Sequence, residues 1–258
     1  MNDWVKMIKV LDKIFQVLEV VAAESPNPVT PMQIALKLGM NRPTCSRILG
    51  ELTERGYLMR VSRQTGYTIG PRSYTFSKMV KYKPSFLDKA IPYVKNCART
   101  LAQSVLICER RDAERYVLHH SNFSPLNIRI AQLSYTDLLD TATGMVLLSA
   151  ASRREQERIF EEYRRKGAYM FPEFESFESV VTELERIRRE RLYVRDKYRT
   201  LQWIAAVPVT KNGVTVAALG VSALSADASM PDRARMVDEI KKTAMLISNE
   251  LSTIETTG

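Results

Sequence analysis

The chain has 258 residues and a formal net charge of +9, enough length for one large or two ordinary domains with real cores. Its apolar runs are short, its first helical stretch carries Asp12, Lys13 and Glu19, and no cationic-apolar-cleavage pattern opens it, so neither a signal peptide nor a membrane span is expected. Cys45, Cys97 and Cys108 are odd in number, widely spaced and without a C-x-x-C, so reduced thiols in a cytoplasmic protein are expected rather than a disulfide frame or zinc site.

Residues 4–22 place Trp4, Ile8, Leu11, Phe15, Leu18 and Ala22 at steps of three and four, an amphipathic first helix. SPNP at 25–28 is a loop. Thr30 to Leu52 then reads as two short helices joined by a tight turn. Thr30, Pro31 and Gln33 make a capping-box start, Ile34, Ala35 and Leu38 recur at helical spacing, and Gly39 supplies the left-handed stop. Asn41 caps the next helix, where Cys45, Ile48, Leu49 and Leu52 form one apolar stripe.

That stripe leaves Arg42, Pro43, Thr44, Ser46 and Arg47 near the helix start and facing away from the core. Small hydroxyls and arginines there suit phosphate contacts and base-edge reading in a major groove. Two amphipathic helices meeting at a glycine also occur where no nucleic acid is bound. The next residues favour DNA. YLMRV, SRQTG and YTIG predict a hairpin with a basic tip, a wing whose Arg60 and Arg63 would reach the backbone or a minor groove.

Charge points the same way. Residues 1–83 hold 13 Lys/Arg against 6 Asp/Glu, and residues 84–258 hold 25 against 23, so most of the excess sits beside the paired helices.

Arg72 to Lys83 reads as a helical connector, with Pro84 as the boundary. Trp4, Tyr74, Met79 and Tyr82 are either dimer contacts or packing within their own domain. Beyond Pro84 a helix over about 85–102 precedes the strand-like runs SVLICERR, RYVLHHS and NIRIAQL. Thr141 to Ala151 begins a buried helix, and helices follow over 153–166 and 177–192. WIAAVPV and VTVAALGVSAL, split by Asn212–Gly213, predict a hairpin, and Met236, Ile240, Ala244, Ile247 and Leu251 mark a last helix. The fold class expected is α+β, with an antiparallel sheet covered by helices.

GMNRPTCSRIL (39–49), GYLMR and GYTIGP within 56–71, ATGMVLLSA (142–150), LYVRD (192–196), AAVPV (205–209) and AALGVSAL (217–224) resemble the signatures of IclR-type bacterial transcriptional regulators over nearly the whole chain. The resemblance implies a winged helix-turn-helix over 1–70, a linker helix over 71–83, and a GAF- or profilin-like effector-binding and oligomerisation domain over 84–258. It implies a repressor or activator acting as homodimer or homotetramer on double-stranded DNA at a pseudo-palindromic operator. By position, the effector pocket would comprise Ala142, Thr143, Asp196, Trp203, Ile204, Gly220 and Ser222. Met145, Trp203–Ile204 and Gly220 replace a lysine, a Cys or Ser, and a serine of the family pattern. Fewer hydroxyls and an added indole imply an apolar or aromatic effector, such as an organic or aromatic acid. The alternative is a C-terminal domain used only for oligomerisation.

Other residues carry less. His119 and His120 are adjacent in a strand and point to opposite faces, poor geometry for one metal ion. Cys108 reads as core, and the arginine-rich run 186–199 as a solvated helix face because glutamates are interleaved. No nucleophile elbow, phosphate-binding glycine loop or paired carboxylate motif occurs, so neither an enzyme nor a cofactor is expected.

Overall fold

The computed structural model describes residues 9–62, 64–79, 86–124, 134–167, 170–197, 202–224 and 232–252. Among these residues two compact units result, one within 9–79 and the other within 86–252.

In the first unit, helices α1 (Lys9–Glu24), α2 (Pro31–Lys37) and α3 (Arg42–Glu54) are followed by strands β1 (Leu58–Ser62) and β2 (Gly66–Ile69) and helix α4 (Pro71–Met79). The capping box at Thr30 and Gln33 forms as its spacing predicts, and the Asn41 side chain accepts from the Thr44 N–H. Gly39 turns the chain between the helices at φ +57°, a conformation that costs a glycine nothing. Val17, Val21, Ile34, Cys45, Leu49 and Leu58 form the core beneath.

One expectation shifts here. The buried side of α1 runs through Val17 and Val21, whereas Leu11 is 47% and Phe15 59% exposed. Helix α1 is apolar on two sides, and among the described residues Leu11 and Phe15 on the second side stay exposed while Ile14 and Leu18 are partly buried against the core. Trp4 and Tyr82 lie outside the described residues, as does the Met79 side chain.

The second unit begins with α5 (Leu87–Leu101), whose last turn gives way to a left-handed Ala102. Strands β3 (Ser104–Arg111), β4 (Glu114–Asn122) and β5 (Ser134–Tyr135) follow, then α6 (Ala142–Ser149), α7 (Arg153–Lys166) and α8 (Phe177–Glu190). Strands β6 (Tyr193–Lys197), β7 (Gln202–Lys211) and β8 (Val214–Leu224) and helix α9 (Arg233–Ser252) complete it. The six strands form an antiparallel sheet in the order β5-β4-β3-β8-β7-β6. The run NIRIAQL lies outside the described residues.

Strand alternation divides the interior. Val105, Ile107, Trp203, Ala205, Val207, Leu219 and Val221 meet residues of α5 and α9. Cys108, Ile204, Ala206 and Ala218 meet α6, which lies between the sheet and α7 and α8. Every residue of α6 is buried, as its largely apolar sequence suits, with the Ser149 hydroxyl donating to the Val146 carbonyl.

The arginine-rich run is half helix and half strand. Helix α8 stops at Glu190, Arg191 turns left-handed, and YVRDK pairs with β7. Arg186 pairs with Glu183 and Glu190 as the interleaved charges predict, while Arg188 donates to the carbonyls of Ser149 and Ala151 at the end of α6.

Candidate DNA-binding and effector sites

Helix α3 buries Cys45, Ile48, Leu49 and Leu52, so its opposite surface is fixed by geometry. Arg42, Pro43, Ser46 and Arg47 are exposed and Thr44 half-buried, all within the first two turns. Among the described residues neither Arg42 nor Arg47 forms an ion pair. In the wing, Arg60 is exposed and its guanidinium lies 5.8 Å from the centre of the Tyr67 ring. Arg63 lies outside the described residues. Val29 and Tyr67 exchange backbone hydrogen bonds of 2.8 and 2.9 Å, which tie the wing to the strand-like residues before α2.

Sequence reading missed a groove of about 1120 Å³ in this unit. Val10, Leu11, Ile14, Phe15 and Leu18 of α1 line it, with Ile48, Leu52, Tyr57, Ile69 and Tyr74 opposite. Arg47, Glu51 and Arg55 border it along α3. The signal was present as a second apolar face on α1.

In the other unit, the seven residues expected to hold an effector do not converge. Ala142 and Thr143 open α6, and Ile204, Gly220 and Ser222 lie on the sheet face that α6 covers. Asp196 and Trp203, paired across β6 and β7, lie on the other face. There the Asp196 carboxylate accepts two hydrogen bonds from Arg233, at 2.8 and 3.0 Å, and Arg233 lies 5.8 Å from the Trp203 ring centre. The separation follows from the pleat: adjacent strand residues such as Trp203 and Ile204 must point opposite ways. The indole therefore adds no aromatic surface beside Ile204.

The start of α6 is pressed onto the sheet. A Cβ at position 220 would lie 2.6 Å from the Thr143 methyl carbon, and one at position 144 would lie 2.6 Å from the Leu138 backbone. Gly220 is thus the residue that admits Thr143. Beside it, Arg115 donates to Asp137 at 2.8 Å and to the Cys108 sulfur at 3.0 Å, holding the loop before α6 against the sheet. Burial pushes the Cys108 thiol up from its ordinary range, with Arg115 opposing the shift, so the thiol is a neutral core group.

His119 and His120 face opposite sides as alternation predicts. His119 hydrogen-bonds Ser121 at 3.0 Å, and His120 hydrogen-bonds Ser104 at 2.8 Å. Burial lowers both pKa values, helped by Lys95 at His119 and by His119 at His120.

A family model described as IclR helix-turn-helix domain matches residues 10–62, and one described as Bacterial transcriptional regulator IclR C-terminal matches residues 84–249. The chain belongs to the IclR family. It is therefore a transcriptional regulator of that family, with a DNA-binding helix-turn-helix and a C-terminal effector-binding domain.

Solved IclR-type structures share the fold. An IclR homologue from Microbacterium hydrocarbonoxydans complexed with 4-hydroxybenzoate is 16% identical, with TM-score 0.72 over 95% of this chain and 99% of its own. An IclR-type regulator from Alicyclobacillus acidocaldarius is 19% identical, with TM-score 0.70 over 94% and 98%. The Thermotoga maritima IclR is 19% identical, with TM-score 0.65 over 95% and 99%. No curated protein matches the chain significantly. Among the described residues no helix is long and apolar enough to cross a membrane.

Proposed function

We propose that this IclR-family protein reads a pseudo-palindromic operator as a homodimer, or as a homotetramer of paired dimers, and that its C-terminal domain senses a small organic or aromatic acid. Residues 1–70 would bind DNA, 71–83 would link, and 84–258 would bind the effector and oligomerise. Such a protein works in the bacterial cytoplasm, on the nucleoid when bound.

The observation that carries the DNA reading is the exposed start of α3. Arg42, Pro43, Ser46 and Arg47 stand clear of the core while the opposite face is locked into it. The basic excess of residues 1–83 supplies the charge that phosphate neutralisation needs. The groove beside α1 supports pairing of two copies, because Leu11, Phe15 and Tyr74 line it together and each is exposed, and a contiguous apolar patch of this kind commonly marks an interaction surface.

For the effector, the face formed by Thr143, Ile204, Gly220 and Ser222 is the site we favour. The first-turn N–H groups of α6, at Ala142 and Thr143, suit a carboxylate. The relative that holds 4-hydroxybenzoate makes aromatic acids the first compounds to try. The close seat of Thr143 on Gly220 favours a second reading, in which this domain only oligomerises.

Selecting bound fragments from genomic DNA, then melting the protein with a panel of aromatic and aliphatic acids, tests both halves. Enrichment of a two-fold symmetric motif and a rise in Tm with some acids are expected. Random enrichment would sink the operator reading, and silence across the panel would favour the oligomerisation reading.

A further inference from the structure

Helix α3 ends at Glu54, with Arg55 as its C-cap, and the start of α4 grips the residues that follow. The Gly70 N–H donates to the Tyr57 carbonyl at 2.8 Å, and the Arg72 N–H to the Gly56 carbonyl at 3.0 Å. The Ser73 hydroxyl donates to the same Tyr57 carbonyl at 2.9 Å. The Arg72 guanidinium donates to the Arg55 carbonyl at 3.3 Å and lies 5.3 Å from the centre of the Tyr57 ring. That position sets a cation at the negative end of α3. The backbones meet without a gap, since a Cβ at position 70 would stand 2.4 Å from the Gly56 carbonyl oxygen and 2.8 Å from the Leu58 backbone.

The residue after Ser73 is Tyr74, which lines the apolar groove together with Leu11 and Phe15, and Arg47 borders that same groove. The helix that would read bases and the surface that would pair two copies are thus fastened through residues 55–57 and 70–73. We propose that Arg72 and Ser73 are positioning residues that lock α4 to the end of α3, so that pairing of two copies fixes the separation and twist of their recognition helices. Half-site spacing then becomes part of what the protein reads. This rests on the DNA and pairing readings above. One base pair added between half-sites turns them by about 35° and parts them by about 3.4 Å. A locked pair cannot follow that change without straining the fastening, whereas a loosened one can.

Two measurements on the full-length protein test the lock, with wild type and the double variant Arg72→Ala/Ser73→Ala. The first is amide hydrogen exchange without DNA. In the wild type the amides of Gly70 and position 72 should be protected, and in the variant they should exchange about tenfold faster. The amides of Leu49 and Leu52, inside α3, should not change. The second is binding to the selected operator and to duplexes one base pair longer or shorter at its centre. Wild type should lose about tenfold or more on either altered duplex, and the variant no more than about threefold.

A variant that keeps the wild-type spacing profile overturns the inference while the DNA reading stands. So does a variant whose affinity falls equally on all three duplexes with a flatter salt dependence, which would make Arg72 a phosphate contact. Wild-type amides at Gly70 and position 72 that exchange as freely as an unfolded chain show the lock open in solution and also overturn it. A wild type that binds no duplex fails the DNA reading itself and takes the spacing claim with it, whatever the exchange shows of the lock.

Discussion

The Thr143 methyl carbon occupies the space in which a side chain at Gly220 would begin, 2.6 Å from where its Cβ would stand. Helix α6 therefore approaches the sheet as closely as the absence of one atom permits. Gly220→Ala should destabilise the protein by about 1–3 kcal/mol, the usual cost of overpacking a core. Thr143→Ser, which removes the offending methyl, should recover much of that loss in the double variant. Urea unfolding of the four proteins in the cycle measures both.

Arg115 is 5% exposed and joins Asp137 to the Cys108 sulfur. Arg115→Met would leave the Asp137 carboxylate half-buried without its cation. A loss of roughly 3 kcal/mol is expected, at the low end for a broken buried pair because Asp137 keeps some contact with water. Chemical denaturation reads it directly.

At the start of α7, Ser152 and Glu155 form a capping box that holds the Glu155 pKa down at about 2, with Ser152 the largest cause and Arg110 adding to it. A carboxylate whose pKa falls on folding stabilises the fold above its unfolded value, ordinarily near 4.5, and loses that contribution as pH drops toward 2. Ser152→Ala should cost about 1 kcal/mol at neutral pH. It should also move the Glu155 titration, followed by NMR, up toward 4.5. An unmoved titration would assign the depression to Arg110 alone.

The groove beside α1 makes a prediction about assembly. Phe15→Glu places a charge on its exposed apolar lip, distant from the buried residues Val17 and Val21. On the proposed pairing, the variant should keep its helical circular dichroism and sediment as a smaller species than the wild type, as sedimentation velocity would register. Unchanged assembly would remove this groove from the dimer contact.

Much of this molecule could be read in its residues because local chemistry and global packing agree. Thr30, Gly39 and Asn41 each impose a cap or turn that tertiary contacts then use, so the paired helices were legible to within a residue or two. Helix α8 and the β7–β8 hairpin were equally plain, since one apolar period or one Asn-Gly turn specifies each. The effector face was less so. Assigning Trp203 and Ile204 to one pocket ignored the pleat, which sends neighbours to opposite faces. The hydrogen bond between Ser104 and His120 was not legible, because it depends on the register of β3 against β4, a long-range fact that no short spacing encodes. The second apolar side of α1 was visible, yet a helical stripe alone does not say which of two sides its own domain will cover.

The central claim is that α3 presents Arg47 to DNA bases, and anisotropy with wild type and Arg47→Ala tests it most directly. Each protein is titrated against the selected operator and a scrambled duplex at several salt concentrations. The account predicts that Arg47→Ala loses about 1–3 kcal/mol on the operator and little on scrambled DNA. Equal losses on both duplexes would make Arg47 a phosphate clamp, and a wild-type protein that ignores duplex DNA in dilute salt would contradict the account outright.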